Sequence, residues 1–279
     1  MIPPNSSAKR SYHAEAILGI DAAWTEQQPS GVALIVSDNA KWSVSALAPS
    51  YQAFVELSLG IPVRSGPRHR GSFPDPTLLI EAVDRLLPGV PLMVVAVDMP
   101  MATVPIRGRR KADDEVSRNY WKQKCGTHSP KESRPGKIGT ALADGFIHHG
   151  FHLATTTEYV GSFAKSLIEV YPHPAFVALT GASERLRYKL SKASKHWPNL
   201  SSVLRRERVI AELNRIETRL KVEFDGITLR PLLPDSPTFV IKAREDTLDA
   251  LVSAWVGMHY RTGLASPFGD ETAAIWIPG

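Results

Sequence analysis

Two apolar runs, each closed by an aspartate, constrain this chain more than any other feature. Residues 91–97 (Pro-Leu-Met-Val-Val-Ala-Val) end on Asp98, and Ile17, Leu18 and Ile20 lead into Asp21. Neither run alternates apolar with polar, so both read as strands covered on both faces rather than as edges of an open sheet. A sheet of that kind needs helices above and below it. The chain has the means: 279 residues, 43% of them hydrophobic, can bury a sizeable core.

The remaining elements follow from periodicity and turn chemistry. Strands are expected at 31–36 and 42–48, joined by Ser37-Asp38-Asn39-Ala40, and at 166–170. Thr77, Ile80, Val83, Leu86 and Leu87 mark an amphipathic helix that starts after Pro76. Leu204, Val209, Leu213, Ile216 and Leu220 mark a second over 201–220, and 246–261 reads as the last major helix. Residues 273–277 read as a closing strand. The stretch 101–165, polar and rich in Gly, Pro and charge, reads as an elaborated connection with at least one helix near 111–124. Hairpins first and βαβ units after them imply a mixed sheet. Ribonuclease H-like domains have this order. The expected fold is therefore α/β, a ribonuclease H-like mixed five-stranded sheet flanked by helices. One domain is expected over 15–279, with insertions at about 101–165 and 180–240 and a flexible tail at 1–14.

Acids stand where such a sheet gathers them. Asp21, Asp98 and Glu169 close strands, and Asp246 and Asp249 open the last helix, their i, i+3 spacing placing both on one face. Ala250, Ser253, Ala254 and Gly257 form a small-residue face that lets this helix approach the sheet. Packed carboxylates are unfavourable at low dielectric unless neutralised, and hard divalent cations neutralise them well. Two such ions, Mg2+ or Mn2+, would activate water and stabilise the leaving oxygen in phosphodiester hydrolysis. Asp21 would bridge them, Asp98 and Glu169 completing one side and Asp246 or Asp249 the other. Each acid also has a plainer reading. Asp98 suits a turn, Asp246 a helix cap, and Glu169 an arginine partner.

Four segments resemble the signature blocks of a known family. They are Gly19-Ile20-Asp21-Ala22-Ala23-Trp24, Val97-Asp98-Met99-Pro100, Glu169-Val170-Tyr171-Pro172-His173-Pro174 and Asp246-Thr247-Leu248-Asp249-Ala250-Leu251. The family is domain of unknown function 429, described as predicted ribonuclease H-like nucleases. Arg110-Lys111-Ala112-Asp113-Asp114-Glu115-Val116-Ser117-Arg118 is similar to its arginine-and-acid block. The resemblance spans roughly residues 17–277 and implies a ribonuclease H-like fold with an acidic divalent-metal site. The pair Asp246/Asp249 also resembles the paired acids on the last helix of RuvC-type resolvases.

Charge is unevenly placed. The net +5 resolves into 105–137, with ten Lys/Arg against four Asp/Glu, and 184–221, with eleven against four, over an acidic remainder. Basic side chains around acids suit a phosphodiester, because cations offset phosphate while acids hold metal. Arg107, Arg109, Arg110, Lys189 and Lys192 are the candidate substrate contacts, with Lys195 beside them. Tyr120, Trp121, Tyr188 and Trp197 are available for stacking. Much of 205–219 also reads as a solvated helix face.

Other chemistries find little support. A single cysteine, Cys125, excludes an intramolecular disulfide and a Cys-based zinc cluster. No Walker motif occurs, and His148, His149 and His152 lack acids at ligand spacing. Residues 1–13 carry no apolar signal core and no apolar run spans a bilayer, so a cytoplasmic protein that does not enter membranes is expected. The expected function is a divalent-metal-dependent phosphodiesterase, a ribonuclease H-like nuclease acting on nucleic acid. The alternatives are a non-catalytic nucleic-acid or protein-binding module on the same fold, and an actin-like phosphotransferase.

Overall fold

A computed structural model describes residues 14–38, 41–64, 68–157 and 164–279. The expected tail at 1–14 lies almost wholly outside the described residues, as do Asn39 and Ala40 of the expected turn.

The sheet starts with an antiparallel meander, β1 (Glu15–Asp21), β2 (Gly31–Asp38) and β3 (Lys41–Ala48). Helices α1 (Tyr51–Ser58) and α2 (Pro76–Leu86) follow. Asp75 caps α2 by accepting from the Leu78 amide, and Pro76 opens it. Strand β4 (Leu92–Val97) then pairs parallel to β1. Helices α3 (Lys111–Asn119) and α4 (Lys137–His148) precede the short β5 (His152–Leu153). Strand β6 (Ser166–Val170) lies parallel to β4 and leads into α5 (Pro172–Thr180). Helices α6 (Ala193–His196), α7 (Ser202–Glu223) and α8 (Thr238–Thr262) come next, and the hairpin β7 (Ala265–Gly269) and β8 (Ala274–Pro278) closes the chain.

The result is a mixed α/β fold whose sheet has, among the described residues, eight strands rather than five, ordered β3-β2-β1-β4-β6-β8-β7 with β5 beside β6. The closing strand expected at 273–277 is β8, and the strands without a sequence signal are β5, only two residues long, and β7, whose Ala-Ser-Pro-Phe-Gly shows no clear alternation. Helices α1, α4 and α5 also lacked a clear sequence signal. Helix α8 begins eight residues before Asp246. Asp246 and Asp249 therefore stand in its interior, and Asp246 does not cap it.

Opposite faces of the sheet bury different partners. Ile17, Ala33, Val94, Ala96 and Ile168 face α8 together with α5 and α7, whereas Leu18, Ile20, Val95, Val97 and Leu167 face α1, α2 and α4. Two glycines bring α8 against the strands. A Cβ on Gly19 would overlap the Ala250 carbonyl oxygen, and one on Gly31 would overlap that of Asp246. Gly257 likewise packs on Ile17 and Ala96. These contacts hold the Asp246–Ala250 turn of α8 over the end of β1. The elaborated connection does not build a core of its own. Helix α4 joins the α2 face, and Ala112 and Val116 of α3 pack on Ile275 and Ile277 of β8. No helix among the described residues is long and apolar enough to cross a membrane.

Candidate functional site

The parallel register of β1 and β4 pairs Ile20 with Val97, and the Asp98 amide donates to the Ile20 carbonyl at 2.9 Å. Asp21 and Asp98 therefore leave adjacent strand ends at the same level. Side chains alternate along a strand, so both follow Ile17 and Ala96 toward the α8 face. There Asp246 and Asp249 come down from the helix, 0% and 1% exposed respectively.

Glu169 meets them only at Asp98, with which it lines a small hollow and whose carboxyl its charge helps to raise, and it does not line the cleft over the other acids. Its register partners are Val97 and Ile275, so it points to the opposite face of the sheet. There Arg110 donates Nη1 to Glu169 Oε2 at 2.5 Å and Nη2 to Oε1 at 2.7 Å. The Met101 amide donates to Oε2 at 2.8 Å. Arg110 also donates Nε to Asp113 Oδ2 at 3.0 Å and Nη1 to the Met101 carbonyl at 2.7 Å. Burial raises the Glu169 carboxyl, and the charge and hydrogen bonds of Arg110 oppose that rise. Arg110, expected to touch substrate, thus lies inside a closed ion network.

The four remaining acids are compensated by lysines. Lys189 Nζ donates to Asp249 Oδ2, and Lys242 Nζ donates to Asp246 Oδ1. Among the described residues, Asp249 Oδ1 and Asp246 Oδ2 are buried with no hydrogen-bond partner. Burial pushes Asp21 up to about 6; Lys189 opposes this and Asp246 adds to it. Burial pushes Asp246 to about 6 as well, against Lys242 and Lys189. Asp98 stands well above the usual carboxylate range through burial and then through Asp21 and Asp249. Asp249 is raised by burial, with Lys189 pulling the other way. Burial works against the charge on Lys189, but Asp249, Tyr188 and Asp21 outweigh it and hold the ammonium well above its ordinary value.

A cleft of about 780 Å³ opens over this centre. Asp21, Asp98 and Asp246 line it together with Lys189, Lys192 and Lys242. Trp24, His128, Lys131 and Arg134 line it too, and none of these four was among the candidate contacts. Arg107 and Arg109 line an adjoining hollow of about 680 Å³ that shares Ser129, Lys131 and Ser133 with the cleft. Arg109 is held there by Asp114 at 2.5 Å and Ser117 at 2.7 Å. The aromatic candidates lie elsewhere. Tyr188 is buried against Phe176 and His173, and Tyr120 packs edge-on to Phe268. Trp121 is 66% exposed beside Lys122, outside the cleft. Cys125 is buried and its thiol is pushed up to about 11, which leaves it protonated and a poor nucleophile at neutral pH.

The donor chemistry of the centre fits a hard divalent cation, with carboxylate oxygens throughout and two of them unpartnered. The grouping is looser. Among the described residues no three His, Cys, Asp or Glu side chains are gathered so as to hold a metal ion. Lys189 and Lys242 occupy one oxygen each of the helix acids, in the place cations would take.

Neither the curated proteins nor the solved structures contain a match to this chain. A family model described as protein of unknown function, DUF429, matches residues 19–274, a span that contains every acid of the centre and both walls of the cleft; the chain belongs to that family.

Proposed function

We propose that this protein is a divalent-metal-dependent phosphodiesterase, a nuclease on a ribonuclease H-like fold. One observation carries the reading. Four carboxylates from β1, β4 and α8 converge beneath a cleft whose walls are basic. The strand order supports the fold. A meander β3-β2-β1 continues into parallel β4 and β6, with a long helix across the face that bears the acids.

Asp21, Asp98, Asp246 and Asp249 are the residues that would hold magnesium or manganese. When bound, the ions supply Lewis acidity and a lowered pKa for water. The chain does the rest. Lys189 and Lys242 keep the helix acids ionised inside a buried site while no cation is present, which preserves their geometry. The basic walls draw in a phosphodiester that the acids alone would repel. The same reading places the protein in the cytoplasm, with nucleic acid as its partner.

A second reading has an observation of its own. The lysines already neutralise part of the acid cluster, as suits a non-catalytic nucleic-acid or protein-binding module. Cleavage assays on single- and double-stranded DNA and RNA, with magnesium or manganese, separate the two. Chelator-sensitive cleavage that falls on the order of 100-fold in Asp21→Asn and Asp98→Asn supports the enzyme. Cleavage that survives both substitutions, or no cleavage of any substrate, refutes it.

A further inference from the structure

Three cations on the rim of the cleft have no carboxylate partner among the described residues. Lys131, Arg134 and Lys192 are exposed, and no ion pair involves them, while most other basic groups nearby are engaged. Their placement is not loose. The Lys131 amide donates to the Arg134 carbonyl at 2.8 Å and the Arg134 amide donates back to the Lys131 carbonyl at 2.8 Å. This reciprocal pair closes a tight turn and presents the two side chains together. The Arg134 guanidinium lies 5.4 Å from the centre of the Trp24 ring, so it rests on an indole instead of an acid. Lys192 comes from the short 3-10 turn Leu190–Lys192. That turn is tied to α8 because the Leu190 amide donates to Glu245 Oε1 at 2.7 Å.

Two chain segments thus carry fixed, unpaired cations to one cleft, and the same cleft has an acidic floor. A lone phosphate would meet those acids as repulsion. A strand can place successive phosphates on separate cations and pass over the floor between them. Bases of an unpaired strand also stack on aromatic rings and on guanidinium planes, and the Arg134–Trp24 stack offers both. The volume of about 780 Å³ lies within the roughly 300–1,000 Å³ of sites that enclose small ligands, which suits a few nucleotides rather than the flank of a duplex.

We propose that this cleft is a binding groove for single-stranded nucleic acid, with Lys131, Arg134 and Lys192 holding its phosphates and the Arg134–Trp24 stack taking a base. It deepens the phosphodiesterase reading and rests on it only for the strand's passage over the acids. Binding itself requires no cleavage.

The test is fluorescence anisotropy with labelled oligothymidylate, oligouridylate and a matched duplex, in chelator and over a range of salt. Tighter binding of a single strand than of the duplex is expected. Lys131→Ala, Arg134→Ala and Lys192→Ala combined should weaken it at least 10-fold and reduce the slope of log K against log salt by about 2. Arg134→Lys keeps the charge but loses the planar stack, so it should retain the slope and still lose several-fold in affinity. All three positions are on the surface, and thermal melting checks that the variants are folded. Unchanged affinity and slope in the triple variant, or tighter binding of the duplex, overturns the proposal. So does saturation by inorganic phosphate or mononucleotide with no gain from chain length. Strand binding without any cleavage would leave this inference standing and the nuclease reading refuted. Cleavage with an unaltered KM in the triple variant would do the reverse.

Discussion

The two faces of the sheet carry two acid clusters built on opposite principles. On one face Glu169 and Asp113 enclose Arg110, and every charged oxygen there meets a donor. On the other, Asp21, Asp98, Asp246 and Asp249 meet two lysines, and two buried oxygens are left over. The first cluster is closed and holds α3 to the end of β6. The second is incomplete and borders solvent through a cleft; burial raises the carboxyls of both, but only Glu169 has an arginine hydrogen-bonded to both of its oxygens to oppose it. Buried charge in a satisfied network is structural. Buried charge with unused oxygens is poised for a ligand.

The comparison can be broken at several points, and the largest effect is expected in the closed cluster. Arg110→Ala strands two buried carboxylates and should destabilise the protein by about 3–5 kcal/mol in urea unfolding. A loss below about 1 kcal/mol would mean that the cluster is not structural. Next comes the response to metal. Saturating manganese at pH 8 should stabilise the wild type by about 2–3 kcal/mol at 100 times its dissociation constant. Chelator should remove this, and Asp98→Asn should abolish it. An equal thermal shift in Glu169→Gln and Asp98→Asn would erase the distinction between the clusters.

A smaller effect concerns pH. Asp21 and Asp246 titrate near 6 in the folded chain, above the ordinary 3.8. Raised carboxyls favour the folded state fully below about pH 4, and that contribution is lost as pH rises through 6. Asp21→Asn should therefore stabilise the metal-free protein at pH 8. Discounted because Asp21 is only partly buried at the cleft mouth, the gain is about 1–2 kcal/mol, and it should vanish near pH 4. Equal melting shifts at both pH values would show that the acid is not under strain. The smallest effect belongs to the rim. Lys192→Ala should leave stability within about 0.5 kcal/mol, since the side chain is exposed and unpaired. A larger loss would make it part of the scaffold.

Some of this was legible in the residues and some was not. Strands β1 and β4 and helices α2 and α7 announced themselves through apolar runs, a proline start and a 3.6-residue stripe. The small-residue face of α8 was equally plain, and it does lie against the strands. Glu169 looked equivalent to Asp21 and Asp98 because all three close apolar runs. Its different face follows from period 2 once the register is known, but register is a pairing between strands and no single strand states it. The early start of α8 was hidden because residues 238–245 mix charged and apolar types without a cap signal; Pro237 precedes the helix and makes no side-chain cap.

What the residues settled by themselves is local: which runs are buried, where acids and bases concentrate, and that a covered mixed sheet is the natural outcome. Those properties follow from hydrophobic periodicity and charge, which act between near neighbours. The tertiary structure decided which of the acids share a cleft and which acid an arginine takes. It also decided that Trp24, Lys131, Arg134 and Lys192, more than 160 residues apart at their extremes, stand on one rim. Those outcomes depend on strand register and on two glycines that admit a helix, and both are satisfied only when distant segments meet.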